Sequence, residues 1–134
     1  MNQHSPELQR WMARKFSRRQ MHLRELASVT STFRGHNGSR PVFGEVMLSA
    51  APSKTFSFAS CVTWPAGGNY EECVLDGILD VLVASDFHPI CGVRFTLENI
   101  GWNEDSVPMG YYFAAREAAR KILRLDGDER NVVC

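Results

Sequence analysis

The short stretch NIGWNEDSVPM, at residues 99–109, brings together two acids, an amide and a tryptophan. Glu104 and Asp105 are of the residue type that performs general acid–base catalysis, and Trp102 could stack on a nucleic acid base. The stretch also joins the strand-like VRFTLE to the helix-like YYFAAREAARKIL, so it could equally be a structural connection in which Trp102 covers a sheet edge. The stretch therefore leaves two interpretations open: a functional site at the tip of the protein, or a structural connection between a strand and a helix.

A second candidate is the segment RGHNGSRP at residues 34–41. It contains two glycines, an asparagine and a proline, and is therefore predicted to be a loop. The phosphate groups of nucleic acids are bound by Lys and Arg side chains and by backbone N–H groups. Arg34, His36 and Arg40 in a glycine-containing loop have this character, which makes the segment a candidate phosphate-binding loop.

The sequence contains none of the familiar catalytic or metal-binding patterns. It has no GxSxG nucleophile motif and no Walker-type nucleotide-binding motif, so the chain is not expected to be an enzyme or, by itself, a GTPase. Its histidines show no HxxxH spacing and its four cysteines no CxxC or CxxH spacing, which argues against a zinc site. We expect no cofactor, no metal, and reduced structural thiols of a cytoplasmic protein.

Charge is distributed unevenly, although the formal net charge of the chain is zero. Residues 1–41 carry eight Lys/Arg and two acids, whereas the remaining residues carry seven Lys/Arg and thirteen acids. A basic segment on an acidic body can mark a nucleic-acid-binding arm. A basic helix that packs against its own acidic domain would give the same distribution.

The elements that must position these groups begin with an N-terminal helix, predicted over about residues 6–27. Ser5 can cap it, and Pro6 fits its first turn. Its apolar residues fall largely on one helical face and its basic residues mostly elsewhere, so the helix is amphipathic. No apolar run approaches the roughly 20 residues that span a bilayer, and the N-terminus lacks the apolar core of a secretory signal.

Five elements follow in the order β-β-α-β-α: strands at 42–50 and 55–63, a helix at 69–86, a strand at 90–100 and a helix at about 107–124. Alternation with period two predicts the strands, and apolar residues that recur at three and four predict the helices. The first two strands are predicted to form a hairpin. Gly77, in mid-helix, predicts a close backbone contact of helix against helix. With 134 residues and 44% hydrophobic content, the chain fits one α+β sandwich, a sheet with helices on one face.

Several short motifs within residues 42–124 occur together in one known family. They are FGEV at 43–46, the pair Gly67-Gly68, Tyr70 with Gly77-Ile78, Pro89 with Gly92-Val93, and Asp105-Ser106 followed by AAREA at 114–118. In this order and spacing the motifs resemble domain IV of translation elongation factor G and its ribosomal-protection relatives. The resemblance covers about two-thirds of the chain, and the order β-β-α-β-α agrees with it.

The resemblance implies a fold shared with a small-subunit ribosomal protein domain, with a left-handed βαβ crossover, and implies tRNA and ribosomal RNA as ancestral partners. It also implies that loop 34–41 lies beside residues 101–106, and that Asp105 sits at the start of a helix, where its charge suits the dipole. This chain differs from the family at the tip. Loop 34–41 has no Gln-Thr, Asn103 stands at the position of a histidine, and a valine is missing. Glu104 and Asp105 are acids at the same tip, and acids repel phosphates unless they are paired.

The sequence therefore predicts a basic helix and loop at 1–41, a domain like elongation factor G domain IV at 42–124, and a polar tail at 125–134. The predicted function is that of a stand-alone, non-catalytic translation-factor-like domain in the cytoplasm that binds the ribosome or structured RNA and no membrane. The alternative is a protein-interaction or oligomerisation module that has lost RNA binding and contacts a partner, or forms a homodimer, through the N-terminal helix. The candidate RNA-binding residues are Arg34, His36, Arg40, Trp102 and Asn103, and the candidate helix-capping residues are Asp105 and Ser106.

Overall fold

A computed structural model describes residues 22–23, 26–65, 68–84, 92–123 and 132–133 of the chain. Its elements are β1 (His22–Leu23), β2 (Ala27–Asn37), β3 (Arg40–Pro52), β4 (Ser57–Ser60), α1 (Glu71–Ala84), β5 (Val93–Gly101), α2 (Pro108–Leu123) and β6 (Val132–Val133). Strands β2, β3, β5 and β4 form, in that order, one mixed four-stranded sheet, whereas β1 and β6 pair separately. The fold is α+β, as predicted.

The four-stranded sheet has one buried face and one open face. Along β3, Val46, Leu48 and Ala50 are almost fully buried, whereas Met47 between them is 38% exposed. Strand β5 alternates in the same way, because successive strand side chains point to opposite faces of a sheet. The buried residues of α1 and α2 join those of β3 and β5 in one core. The two helices therefore cover one face of the sheet, which is the predicted α+β sandwich.

The predicted order β-β-α-β-α is confirmed by β3, β4, α1, β5 and α2, with bounds shifted by a few residues. The predicted hairpin between the first two of these strands is wrong. Strand β3 pairs antiparallel with β2 on one side and with β5 on the other, so it has no free edge for β4. Strand β4 instead pairs parallel with β5, and α1 is the crossover that parallel neighbours require. The left-handed sense of this crossover stays a prediction.

Strands β2 and β3 form a β-hairpin, and the prediction of a loop at 34–41 is wrong. Strand β2 pairs with β3 along its whole length, from Ala27 opposite Ala50 to Asn37 opposite Arg40. The intervening turn holds Gly38 at a φ of 68°, in the left-handed region that favours glycine. The glycine that suggested an irregular loop instead allows a tight turn between two long strands.

The predicted N-terminal helix at 6–27 lies mostly outside the described residues. Its predicted C-terminal end is wrong, since His22–Leu23 is a strand paired with Val132–Val133, and Ala27 begins β2. Pairing of the two strands satisfies backbone groups of both segments, whereas a helix over residues 22–23 would satisfy only its own. The predicted domain boundary after residue 41 stays a prediction, and the β2–β3 hairpin crosses it.

Close backbone contacts allow the helices to lie directly on their neighbours. A Cβ atom on Gly77 of α1 would lie 2.5 Å from the carbonyl oxygen of Tyr112 in α2, so the close helix contact predicted for Gly77 is confirmed. A Cβ atom on Gly110 would lie 2.1 Å from the carbonyl oxygen of Phe43, and one on Gly44 would lie 2.1 Å from the carbonyl carbon of Gly110. The first turn of α2 is thus pressed against the backbone of β3 at the end of the sheet where the candidate site lies.

Candidate nucleic-acid interface

One end of the sheet is built by two segments that are distant in sequence. The pairing of β5 with β3 ends at Glu45, opposite Gly101. Beyond this point the turn that follows β5 lies beside β3 and pairs with Phe43. The Phe43 N–H donates to the Asp105 carbonyl at 3.0 Å, and the Val107 N–H donates to the Phe43 carbonyl at 3.4 Å. These bonds satisfy backbone groups that would otherwise be buried without partners. We call the hairpin residues 34–43 and the turn residues 102–107 together the tip.

Asn103 organises the turn within the tip. Its side-chain oxygen accepts from the Asp105 N–H at 2.8 Å, and its own N–H donates to the Ser106 hydroxyl oxygen at 2.9 Å. Such local bonds are how Asn and Ser stabilise turns. The capping role predicted for Asp105 and Ser106 stays a prediction. Helix α2 begins at Pro108, and the Ser106 hydroxyl contacts the Asn103 N–H and the Tyr111 hydroxyl.

Arg34 and His36 lie on the same side of β2 and line a small open groove of about 260 Å³ together with Asp105. The predicted proximity of the two tip segments is therefore confirmed. The Arg34 guanidinium lies over the ring of Phe43, 4.9 Å from its centroid. A cation–π contact holds a guanidinium beside the ring without neutralising its charge, so that charge remains available to an anion. The groove thus combines two basic side chains with one carboxylate.

Arg40 is separated from the other two basic residues by the geometry of the hairpin. It lies opposite Asn37, whereas His36 lies opposite Pro41. Because neighbouring residues of a strand point to opposite faces, the Arg40 side chain lies on the other face from that of His36. The predicted basic trio is therefore a pair, Arg34 and His36, with Arg40 exposed on the far side of the hairpin.

Trp102 belongs to an aromatic cluster with Trp64, Tyr70 and Tyr111. Its ring centroid lies 5.5 Å from that of Tyr70 and 5.8 Å from that of Tyr111, at interplanar angles of 22° and 27°. The two tyrosine centroids are themselves only 5.5 Å apart. Rings on opposite faces of an indole would lie about 7 Å apart or more at van der Waals contact, so both tyrosines stack on the same side. Trp102 anchors the turn and, being 38% exposed, still offers aromatic surface at the tip.

The rest of this aromatic cluster is not apparent from the sequence, since its members are spread over residues 64–111 without a shared period. Trp64 is positioned by its ring N–H, which donates to Glu71 at 3.1 Å. Gly68 gives the one local signal, because a Cβ atom there would lie 2.6 Å from the ring of Trp102. Tertiary packing, rather than spacing, brings these rings together.

Tyr111 fixes the cluster to both ends of the turn. Its side chain is fully buried, its hydroxyl donates to the Gly101 carbonyl at 2.6 Å, and the same hydroxyl lies 3.0 Å from the Ser106 hydroxyl oxygen. Burial is the main cause that raises the pKa of the Tyr111 hydroxyl, and nearby Tyr70 and Glu45 act in the same direction. The neutral form, which can donate a hydrogen bond, is thereby favoured.

Within the described ranges, no group of three His, Cys, Asp or Glu side chains could hold a metal ion. No helix in this part of the chain has the length and apolar character needed to cross a membrane. Cys61 and Cys73 are free thiols, the first exposed and the second partly buried.

Comparison with known proteins shows that the fold of this chain resembles part of a solved structure. No family model and no curated protein matches the chain. A crystal structure of a protein from Thermus thermophilus superimposes with a TM-score of 0.69 and 21% sequence identity, over 81% of this chain and 17% of that one. At this identity the likeness shows the fold alone. The chain therefore corresponds to a small part of that longer protein, and its similarity to elongation factor G domain IV stays a prediction.

Proposed function

We propose that this chain is a non-catalytic, translation-factor-like domain of the cytoplasm that binds the ribosome or structured RNA through the tip. The observation that carries the proposal is that Arg34 and His36 line one groove with Asp105, in the turn that also holds Trp102. The order β-β-α-β-α and the proximity of the two tip segments agree with what the similarity to elongation factor G domain IV implies. Both features support the proposal without depending on the N-terminal helix.

Three contacts with RNA fit the chemistry of the tip. The in-plane N–H groups of Arg34, held over Phe43, suit a phosphate. Trp102 presents aromatic surface on which an unpaired base can stack. In the described hydrogen bonds Asn103 uses its side-chain oxygen, and its NH₂ group keeps two donors for a base edge or a ribose hydroxyl.

The acids of the tip limit how strongly it can attract a nucleic acid. Asp105 lines the same groove as Arg34, and Glu104 is exposed in the adjacent turn. Their charges oppose the approach of phosphates, so a purely electrostatic, shape-independent interaction is disfavoured. We therefore expect binding to a folded RNA that brings both a phosphate and an unpaired base to the tip.

Fluorescence anisotropy with a labelled stem-loop RNA, and sedimentation with purified small ribosomal subunits, test the proposal over a series of salt concentrations. The affinity should fall as salt rises, because counterions are released from the phosphates that the protein neutralises. Arg34→Ala should weaken binding and reduce the slope of log affinity against log salt by about one. Trp102→Leu should weaken binding to the loop while leaving the salt slope unchanged.

Lys54→Ala provides the matched control for Arg34→Ala. It removes one exposed positive charge just beyond the other end of β3, roughly 30 Å from the tip by the length of an extended strand. Its affinity and salt slope should equal those of the unmodified protein. The proposal is wrong if neither RNA nor ribosomal subunits bind at low salt. It is also wrong if Arg34→Ala and Lys54→Ala weaken binding equally.

A further inference from the structure

Strand β2 is a long strand at the edge of the four-stranded sheet. Its eleven residues pair with β3 on one side. Among the described residues, no strand pairs with its other side. The outer N–H and C=O groups of such an edge form a template on which another extended chain can add a strand.

A groove of about 440 Å³ runs between β2 and α2. Its wall on the strand side includes Ser31 and Phe33, and its wall on the helix side includes Phe113. The rings of Phe33 and Phe113 stack with their centroids 4.9 Å apart at 28°. We call this feature the β2–α2 groove. The stacked rings give an added strand a local apolar contact within the groove.

The helix side of the β2–α2 groove is positively charged. It contains Arg116, Arg120 and Lys121 against the single acid Glu117. Arg116 and Arg120 are one helical turn apart, so their side chains follow the same face of α2 and run beside the strand. A strand added to β2 would therefore bring alternate side chains close to a row of cations, which favours acidic residues at those positions.

Two occupants from the chain itself complement this charge poorly. Residues 1–21 carry five Lys/Arg and one acid. A second copy of β2 contains no acidic residue, and its Arg34 lies on the face opposite Phe33, away from the groove. The first occupant would add positive charge to a surface that is already positive, and the second would supply no carboxylate to it.

A nucleic acid strand also fits the groove less well than a peptide does. The phosphates of a nucleic acid accept hydrogen bonds and do not donate them, so they could pair with the N–H groups of the edge, and only the ribose hydroxyls of RNA could donate to its carbonyl groups. An extended peptide supplies both donors and acceptors. We propose that β2 and α2 form a docking site for an extended acidic segment of a partner protein, which adds a strand to β2 and places its carboxylates against Arg116, Arg120 and Lys121.

A fluorescein-labelled octapeptide of alternating Val and Glu is a direct probe, titrated into the full chain and followed by anisotropy. The same length of alternating Val and Lys should bind at least about tenfold more weakly, because its charge is reversed. Two further Val–Glu peptides are N-methylated. The first carries the methyl group on the backbone nitrogen of every Val, and the second carries it on that of every Glu. In an added strand only one of these two sets of N–H groups faces β2. One N-methylated peptide should therefore lose at least about tenfold in affinity, while the other keeps its affinity.

The double substitution Arg120→Glu with Lys121→Glu tests the rim of the groove. It should weaken binding of the Val–Glu peptide at least about tenfold, since two attractive contacts become repulsive. The control reverses two exposed charges outside the groove, Lys54→Glu with Arg94→Glu, and should leave the affinity within about twofold. Unfolding in urea verifies that both variants are folded. Amide chemical shift changes on peptide addition should concentrate in β2 and in residues 113–121.

Several results would overturn the proposal. One is the absence of binding at millimolar peptide; another is an equal response to both N-methylated peptides or to both double substitutions. Dimerisation that sedimentation velocity detects in the unmodified chain, and that the Arg120→Glu, Lys121→Glu variant loses, would assign the groove to a second copy. If a labelled twelve-residue oligouridine bound in the groove while the Val–Glu peptide did not, the site would belong to RNA.

Discussion

At the scale of single residues, the tip depends on a buried side chain that is not part of it. The Tyr111 hydroxyl donates to the Gly101 carbonyl, where β5 ends, and contacts Ser106, near the end of the turn. Its ring also stacks with Trp102. One phenol thus connects the core to both ends of the turn and to the exposed aromatic residue, so the position of the tip is set from inside the molecule.

Tyr111→Phe should therefore reduce the free energy of unfolding by about 1–2 kcal/mol, because the Gly101 carbonyl loses a short hydrogen bond in a partly buried setting. Urea unfolding at neutral pH measures the loss. Tyr112→Phe is the matched control, since the same hydroxyl is removed from an exposed bond to Asp80. It should destabilise the protein clearly less, and equal losses would contradict the role assigned to Tyr111.

The same Tyr111 variant has a second readout at high pH. Because the pKa of Tyr111 is raised in the folded protein, its contribution to stability is fully present below the unfolded pKa of about 10 and is lost as pH rises through the raised value. Unfolding measured upward from pH 9 should show a shallower alkaline loss of stability in Tyr111→Phe than in the unmodified protein. Tyr112 and Cys73, whose pKa values are also raised, are common to both proteins and cancel in the comparison.

At the scale of elements, the packing of α1 on α2 explains a glycine that local propensity disfavours. A glycine in mid-helix lowers helix stability by about 1 kcal/mol relative to alanine. Gly77 nevertheless lies where the two helix backbones meet, and it is itself buried. The small Ala residues on the facing side of α2, including Ala115, keep the helices close. Gly77 therefore lowers the helix propensity of α1 but allows the two helices to pack in one layer over the sheet.

Gly77→Ala should consequently destabilise the protein, although the same change would stabilise an isolated helix. The new methyl group would lie 2.5 Å from the Tyr112 carbonyl oxygen and 3.1 Å from the backbone nitrogen of Arg116, so α1 and α2 must separate. We expect a loss of about 1–3 kcal/mol in the free energy of unfolding, measured by urea or thermal denaturation. Gly35→Ala serves as control, since the nearest atoms to its methyl group would belong to the Phe33 side chain, at 3.0 Å or more, and not to a helix backbone. A stabilising effect of Gly77→Ala would show that the helices are not in close contact.

At the scale of the whole molecule, the folding unit begins before the segment that resembles a known family. Strand β2 covers one edge of β3, and Phe33 of β2 stacks on Phe113 of α2. Val29 and Phe33 also pack against the common core. A unit that starts at residue 42 would leave the edge of β3 and the side of α2 uncovered. The β2–β3 hairpin is therefore part of the domain and not an arm attached to it.

Truncation distinguishes a folding unit that includes β2 from one that begins at residue 42. A chain of residues 22–134 retains every described strand and should unfold in one cooperative transition. A chain of residues 42–134 lacks β1 and β2 and should lose that transition, because apolar core surface and a row of backbone hydrogen bonds are exposed. Circular dichroism during thermal unfolding measures both. A cooperative transition of similar midpoint in residues 42–134 would restore the boundary that the sequence suggested.

The sequence by itself determined the type and order of five elements, from β3 to α2, because helix and strand periods are local properties that residue spacing reveals. It also indicated the close contact at Gly77 and, through the family resemblance, the meeting of the two tip segments. The tertiary structure decided that 34–41 is a hairpin end rather than a loop, that β4 pairs with β5, and that Trp102 joins Tyr70 and Tyr111. These features depend on which strand edges and which faces of rings remain free once the core has packed. That choice is made by contacts between distant residues, and no local pattern encodes it.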